Sequence, residues 1–338
     1  MGRAGLEAWR DGIRRVNSAP ALVVGVWALT LLVAVPMAAA MRSLLARHLG
    51  RSLAANTAAS GVNYDWMQEF ADQAVGLGVT FKPTIIGFGA ILDNLGAFLD
   101  NLDQPVVIVA AALVYILLWV FVAGGIIDRY ARDRPTHAIG FFTASGVFFF
   151  RFLRLSIVQW LVYSAVFSSL HPLLFDRLYP RLIHDLTVER TAFAIRVGLY
   201  LVFGAVVAGC VTVFDYAKVR AIVEDRRSMI SAVVEAIRFV RRNAAAAATL
   251  FGLNFGLFLA AVGMYAVIVP PVGGTGLPMW MALAIGQFYL VARLWVKLVF
   301  WASETALYQQ RLAHAGYVAR PEPVWPESPA AEALSLRR

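Results

Sequence analysis

The sequence predicts an all-α, polytopic membrane protein: six transmembrane helices forming three hairpins, with in-plane helices on the cytoplasmic side. Three observations predict it. Apolar residues make up 60% of the chain and charged residues 15%, and the mean hydropathy is +0.68, a balance outside the range of soluble domains. Six stretches are apolar for about the 20 residues that a helix rising 1.5 Å per residue needs to cross roughly 30 Å of hydrocarbon. Lysine and arginine concentrate in alternate connections between them.

The expected spans are 21–41, 105–127, 155–170, 191–214, 244–269 and 278–303, the third short enough to need a turn from its flanks. A basic lead (Arg3, Arg10, Arg14, Arg15) precedes the first, which ends in Ala38, Ala39 and Ala40, as a cleaved secretory signal would. Its apolar core is longer than a signal's, and later segments repeat its basic-then-apolar layout, so it reads as a retained span. Cys210 is the only cysteine and falls inside the fourth span, which excludes an intramolecular disulfide.

The first connection, 42–104, is too long for a turn. Residues 63–76, with Tyr64, Trp66, Met67 and Phe70, suit one short helix. Residues 84–102 suit another, with Ile85, Phe88, Leu92, Leu95 and Leu99 on one face and Asp93, Asn94, Asp100 and Asn101 opposite. Both fit the outer headgroup layer. The tail 316–338, with Pro321, Pro323, Pro326 and Pro329, lacks apolar periodicity and reads as disordered and cytoplasmic.

Orientation follows from the basic residues. The N-terminus, 127–154, 215–243 and the tail hold four, five, seven and four of them, against four, three and none on the opposite side. Both termini are therefore expected in the cytoplasm. The formal charge of +9 then belongs to a face that meets anionic lipid headgroups, and nucleic acid is not an expected partner.

A shift of 87 positions lays Asp128 on Asp215, Arg151-Phe-Leu-Arg154 on Arg238-Phe-Val-Arg241, and the start of the fourth span on that of the sixth. The expected membrane domain, 1–315, thus contains two repeat units, 128–214 and 215–303. In each, an acid leaves one span, an in-plane helix follows, and an Arg-x-x-Arg step leads into the next span. Apolar side chains crowd the first in-plane helix (Phe141, Phe142, Val147, Phe148, Phe149, Phe150 and Phe152), and in the second Ile230, Val233, Val234, Ile237 and Val240 recur at helical spacing. They could lie in the headgroup boundary or pack on the bundle as extensions of it. Arg151, Arg154, Arg238, Arg241 and Arg242 are the residues expected to face headgroups.

The stretch Asp215-Tyr-Ala-Lys-Val-Arg-Ala-Ile-Val-Glu-Asp-Arg-Arg, followed by Ser231-Ala-Val-Val-Glu-Ala-Ile-Arg-Phe-Val-Arg-Arg-Asn243, resembles bacterial six-helix integral membrane proteins of unassigned function. These are similar in layout to the membrane domain fused to some glycerophosphoryl diester phosphodiesterases. The resemblance covers about 30 residues specifically and implies a fold and a bacterial inner membrane. It carries no hydrolase activity, because the family's soluble phosphodiesterase domain has no match in these residues.

Candidate chemistry is sparse. Asp128, Asp215, Arg293, Lys297 and Glu304 all fall near the cytoplasmic ends of spans, where they could pair, snorkel to the headgroups or line a substrate path. Arg196 reads as snorkelling to the outer interface. The second outer loop, expected to be interrupted at Pro180, holds His171, Asp176, His184, Asp185 and Glu189, but at no tight metal-ligand spacing, and it reads as a polar, headgroup-facing loop. Gly252 with Gly256 and Ala205 with Gly209 suit close helix packing. No nucleophile elbow, phosphate loop or zinc-protease motif occurs, so no catalytic residue, cofactor or metal is assigned. The role expected is a lipid-interacting scaffold or accessory subunit of a membrane complex, with a transporter component as the alternative.

The basic-residue asymmetry generates a topological prediction. Reporter fusions after Gly61 and Thr275 should give an extracytoplasmic signal and fusions after Arg226 and Ala315 a cytoplasmic one; a cytoplasmic signal at Gly61 would reverse the orientation.

Overall fold

The computed structural model describes residues 2–50, 52–60, 63–82, 84–85, 87–270 and 276–314, and all regular structure among them is helical. Helix α1 (Gly2–Asn17) precedes α2 (Pro20–Leu49), and three short helices follow: α3 (Ala55–Ser60), α4 (Tyr64–Gln73) and α5 (Gly87–Leu99). Then come α6 (Val106–Arg132), α7 (Ala138–Ala165), α8 (Tyr179–Ile183), α9 (Glu189–Val223), α10 (Met229–Arg242), α11 (Ala244–Ile268) and α12 (Leu277–His314). Six helices are long and apolar enough to cross a membrane, which makes this an all-α polytopic membrane protein. The two helices expected in the first long connection are present as α4 and α5; the tail 316–338 lies outside the described residues.

The third span departs from expectation. Instead of an in-plane helix, a short span and a loop, α7 runs through two π-helical turns, Val166–Leu170 and Leu173–Leu178, into α8, a continuous helix of 46 residues over Ala138–Ile183. Pro172 and Pro180 do not break it. A π turn widens the hydrogen-bond ladder by a residue, so the amide that proline lacks is lost where the ladder is already irregular, and Pro180 opens α8 within its first two positions. In the second unit the corresponding path does break, at Asn243 between α10 and α11, and α9 runs one turn further past Asp215 than α6 does past Asp128.

Several helices outrun the bilayer. At 1.5 Å per residue, the 35 residues of α9 and the 38 of α12 extend about 52 and 57 Å, against roughly 30 Å of hydrocarbon. The surplus lies at one end, called proximal here, where α1 and the end of α12 meet. The main core begins at Trp119 on α6, Thr212 on α9 and Leu294 on α12, and takes in Tyr130, Phe152, Tyr216, Leu298 and Leu307, all essentially inaccessible. Distal to that level α6 exposes Val109, Leu113 and Leu117, and a small satellite core of Leu174, Leu199 and Phe203 joins α9 to the helix that α7 begins.

The most extensive contacts form three pairs, α1 with α12, α6 with α7, and α9 with α10, while α6, α9 and α12 also touch one another. The proximal layer is thus a ring around three central helices, closed because the first helix packs on the last. Helix α1 does not lie free in the headgroup plane. It runs antiparallel along α12, from the Trp295 indole, which donates to Asn17 Oδ1 at 2.9 Å, past Ser303, to a 250 Å³ cavity between Ala4, Glu7, Gln310 and Arg311. Helix α10 packs on the bundle, as one of the two expectations had it: Met229, Ala232 and Ala236 are buried, while Ile230, Val234 and Ile237 remain open.

Gly12 permits the α1–α12 approach, for a Cβ there would sit 2.5 Å from Ser303 Cβ and 2.7 Å from its backbone. Gly125 does the same for α6 on α7, against Ser145 Oγ and the Phe141 ring. The small pairs expected to pack do not: Gly252, Gly256 and Gly209 have nothing within 4 Å, and Ala205 is exposed. Spacing identifies small residues but not the direction they face.

Gly12→Ala should therefore destabilise the protein by about 1–3 kcal/mol through overpacking against helical backbone. Gly252→Ala, in open space, should leave thermal unfolding in detergent unchanged or slightly raised. Equal effects of the two would contradict the α1–α12 contact.

Candidate functional site

Each central helix brings one carboxyl group into the proximal layer, and each is held differently. On α6, Asp128 accepts from Arg132 Nε at 2.9 Å, one turn on. On α9, Asp215 accepts from Lys218 Nζ at 2.8 Å, again within the helix. On α12 the positions three and four after Glu304 are Leu307 and Tyr308, so no local base exists. Glu304 is 4% exposed, its Oε2 receives no hydrogen bond, and its charged neighbours are Asp215, Lys218 and Lys297. The Tyr216 hydroxyl, with Glu304 and Asp215 as its charged neighbours, is likewise buried and without a partner.

Tryptophan receives Lys297 and shares Lys218 with Asp215. Lys297 Nζ stands 4.8 Å from the Trp119 ring centre and 5.3 Å from that of Trp301, while Lys218 Nζ lies 5.5 Å from Trp301. The two indoles meet edge to face at 5.5 Å. A cation over an indole face gains about 0.5–2 kcal/mol, more as water is excluded. The structure thus gathers Asp215, Lys297 and Glu304 of the expected cluster and adds Lys218, Trp119 and Trp301. Asp128 pairs on its own helix, and Arg293 is exposed without an ion pair or hydrogen bond to any described residue. The expected partnership of Asp215 with Arg293 or Lys297 is replaced by Lys218, which a shorter path along the same helix delivers.

Two further networks close the layer. Arg15, 8% exposed, donates to Tyr130 O at 2.6 Å and to Gln309 Oε1 at 2.8 Å and pairs with Asp11 at 2.8 Å; Gln309 Nε2 donates to Ala131 O. Arg14 bridges Asp11 and Asp133, each at 2.6 Å. These bonds tie α1 to α6 and α12. Burial pushes the Asp11 carboxyl up, but Arg14 and Arg15 outweigh it and hold it below the usual range. The second network centres on Glu224, just past α9, which accepts from the Tyr308 hydroxyl on α12 and from Arg220 Nε and Arg226 Nε at 3.0 Å each. Sequence reading passed over Glu224, although a carboxylate flanked by Arg220 and Arg226 was the available signal.

The arginines expected to face headgroups divide. Arg151 is drawn inward, donating to Asp225 Oδ1 at 2.6 Å with its guanidinium 5.1 Å from the Phe148 ring. Arg238 pairs with Glu235 on α10. Arg154, bonded only to Phe150 O, and Arg241 and Arg242 are exposed. On the distal side, Arg196 is held by Asp100 at 3.0 Å and by Tyr200 rather than snorkelling. His171 is buried and bonds Leu99 O at 2.9 Å, so it is not part of a headgroup-facing loop, while His184 pairs with Asp185 in the open. Among the described residues no group of three His, Cys, Asp or Glu side chains is placed to hold a metal ion.

Comparison of the chain with protein-family models, with curated proteins and with solved structures gives no match.

Glu224 generates a pH prediction. Burial pushes its carboxyl up, but Tyr308, Arg226 and Arg220 outweigh that and set it below the ordinary 4.5. A depressed carboxyl contributes stability that is fully present above its unfolded value and lost as pH falls through its folded value. Unfolding in detergent should accordingly become easier as pH drops below about 4.5. Glu224→Gln should cost about 3–5 kcal/mol at neutral pH, by stranding Arg220, and should flatten the acid dependence. An unchanged acid limb would show that other carboxylates set it.

Proposed function

We propose that this chain is a non-enzymatic, lipid-interacting scaffold or accessory subunit of a complex in a bacterial inner membrane, with both termini in the cytoplasm. The observation that carries this reading is that most proximal charges pair with one another inside the protein, Glu304 and Arg129 being the buried exceptions. Asp128 with Arg132, Asp215 with Lys218, and Arg15 with Asp11 are all internal pairs, and α1 covers the ends of α6 and α12. Cavities of 250 and 580 Å³ lie at the α1–α12 edge and around Arg47, His48 and Glu69 near the distal end of α2. The excess of basic residues in alternate connections supports the orientation, and exposed Arg154, Arg241 and Arg242 suit anionic headgroups on that face. The ring of three helix pairs supports a repeated architecture across 128–214 and 215–303. Its partners on this reading are membrane lipids and other membrane proteins, not nucleic acid, and no cofactor is invoked.

One observation favours a transporter component as a second reading. Glu304 is a buried carboxyl group with no ion-pair partner within 4 Å among the described residues, just beyond the inner end of the sixth span, where such groups can serve proton or ion paths.

Purification from native membranes in mild detergent, with lipids and proteins identified by mass spectrometry, separates the two. The scaffold reading expects anionic lipid and a stoichiometric membrane partner to copurify. Recovery of a lone protein that conducts protons or solutes in liposomes, with loss of flux in Glu304→Gln, would replace it by the second reading.

A further inference from the structure

Arg293 and Lys297 occupy an electrostatic position that the protein itself does not balance. They lie four apart on one face of α12, where like charges repel. The charged neighbours of Lys297 are two cations, Arg293 and Lys218, and two carboxyls, Asp215 and Glu304, so that with Lys297 itself cations outnumber carboxyls. Lys218 already holds Asp215, and among the described residues neither Arg293 nor Lys297 has a carboxylate within 4 Å.

The depth of the pair makes the imbalance consequential. Along α12, Lys297 lies about 30 Å from Leu277, near the far boundary of the hydrocarbon. On α6, its neighbour Trp119 is followed by eight more apolar residues before Asp128, which sets that ring about 12 Å short of the polar end. The two helices bracket the lysine between the membrane boundary and the apolar band. Lys297 keeps accessible surface while its ammonium stands against two indoles. Trp119 and Trp301 flank it on the protein side, and Arg293, also exposed, stands one turn distal. Above it the distal halves of α6 and α9 expose Leu113, Leu117, Leu201 and Val202, an apolar surround suited to acyl chains.

Resting on the lipid-interacting reading, we propose that Arg293 and Lys297 together bind the phosphate of an anionic phospholipid of the proximal leaflet, with the Trp119 and Trp301 indoles beside it. The phosphate supplies the missing negative charge between two cations that otherwise repel, and charge-assisted hydrogen bonds from a guanidinium and an ammonium are the strong class of such contacts. A zwitterionic headgroup brings its own cation to the same place, so the site discriminates by net charge. Snorkelling alone would leave the two cations unlinked and indifferent to lipid class.

The test uses the full chain in nonionic detergent, delipidated and titrated with phosphatidylglycerol, phosphatidylcholine or inorganic phosphate, with retained lipid counted by native mass spectrometry and the melting temperature followed. Phosphatidylglycerol should bind at one tight site and raise the melting temperature by several degrees; phosphatidylcholine and phosphate ion should not. Arg293→Gln with Lys297→Gln should weaken that site at least tenfold, Lys297→Arg should keep it, and Arg241→Gln with Arg242→Gln on α10 should leave it unchanged. Should the double variant not fold, Arg293→Gln alone, at an exposed position, must still weaken the site. Unaltered phosphatidylglycerol retention in these variants would overturn the site while leaving the lipid-interacting reading standing, whereas indifference of the wild type to every lipid would remove both. Reproduction of the stabilisation by inorganic phosphate would overturn the lipid assignment.

Discussion

The structure depends on a mismatch of length: its central helices are far longer than the membrane is thick. Helix α12 continues for about 17 residues beyond the roughly 30 Å that hydrocarbon accounts for, and those residues include Leu298, Val299, Ala302, Ala306 and Leu307. Left in water they would expose a continuous apolar face, so they have to be covered by other helices. Coverage comes from the ends of α6 and α9, the start of α7, and the two amphipathic helices α1 and α10. The proximal layer is therefore packed as a soluble core is, with side chains at or near zero exposure, while the distal halves of the same helices use lipid as their solvent. Gly12 and Gly125 mark where covering requires backbones to approach within side-chain distance.

Charge is admitted to this layer chiefly by pairing within a helix. Asp128 with Arg132 and Asp215 with Lys218 are one turn apart, so each pair is assembled when its helix forms and enters the core as a unit. A buried pair of this kind adds little net stability, because desolvation offsets most of the attraction, but losing one member strands the other. Contacts between helices fall instead largely to hydrogen bonds: Arg15 and Gln309 donate to the backbone carbonyls of Tyr130 and Ala131, and the Tyr308 hydroxyl donates to the Glu224 carboxylate. Glu304 breaks the rule, since α12 supplies it with no base.

The spans were legible because hydrocarbon imposes a length and a composition that no soluble helix of this protein matches; α4 and α5 were legible from periodicity. What could not be read was direction. The spacing of Gly252 and Gly256 is the same whether the stripe meets a helix or not, and here both face open space, whereas the adjacent Gly124 and Gly125, a pair without a spacing motif, are the ones that pack. Pro180 was read as a break because an α-helix interior forbids it, yet π turns ahead of it absorb the missing amide, and their presence depends on packing against α9. In the candidate site, Asp215 on one span and Lys297 and Glu304 on another are brought into one another's neighbourhood, as their place near the inner ends of those spans suggested. That Asp215 takes Lys218, three residues on in its own helix, was legible from that spacing and was not read.

The division into two layers also explains why the unbalanced charge lies where it does. Proximal to Trp119 and Trp301 buried Arg15 and the two lysines have protein acceptors or rings at hand, while Arg129 is buried with one guanidinium nitrogen unbonded; distal to them the helices expose apolar side chains. Lys297 and Arg293 stand at the seam, where protein ceases to be the solvent and lipid begins. A cation at that level can be neutralised from within only by Asp215 or Glu304, and one is taken by Lys218 while the other is enclosed beneath Lys297. On the reading proposed above, the remaining source of negative charge at the seam is the membrane, and the upper rim of the proximal core would then depend on the charge of the lipid around it.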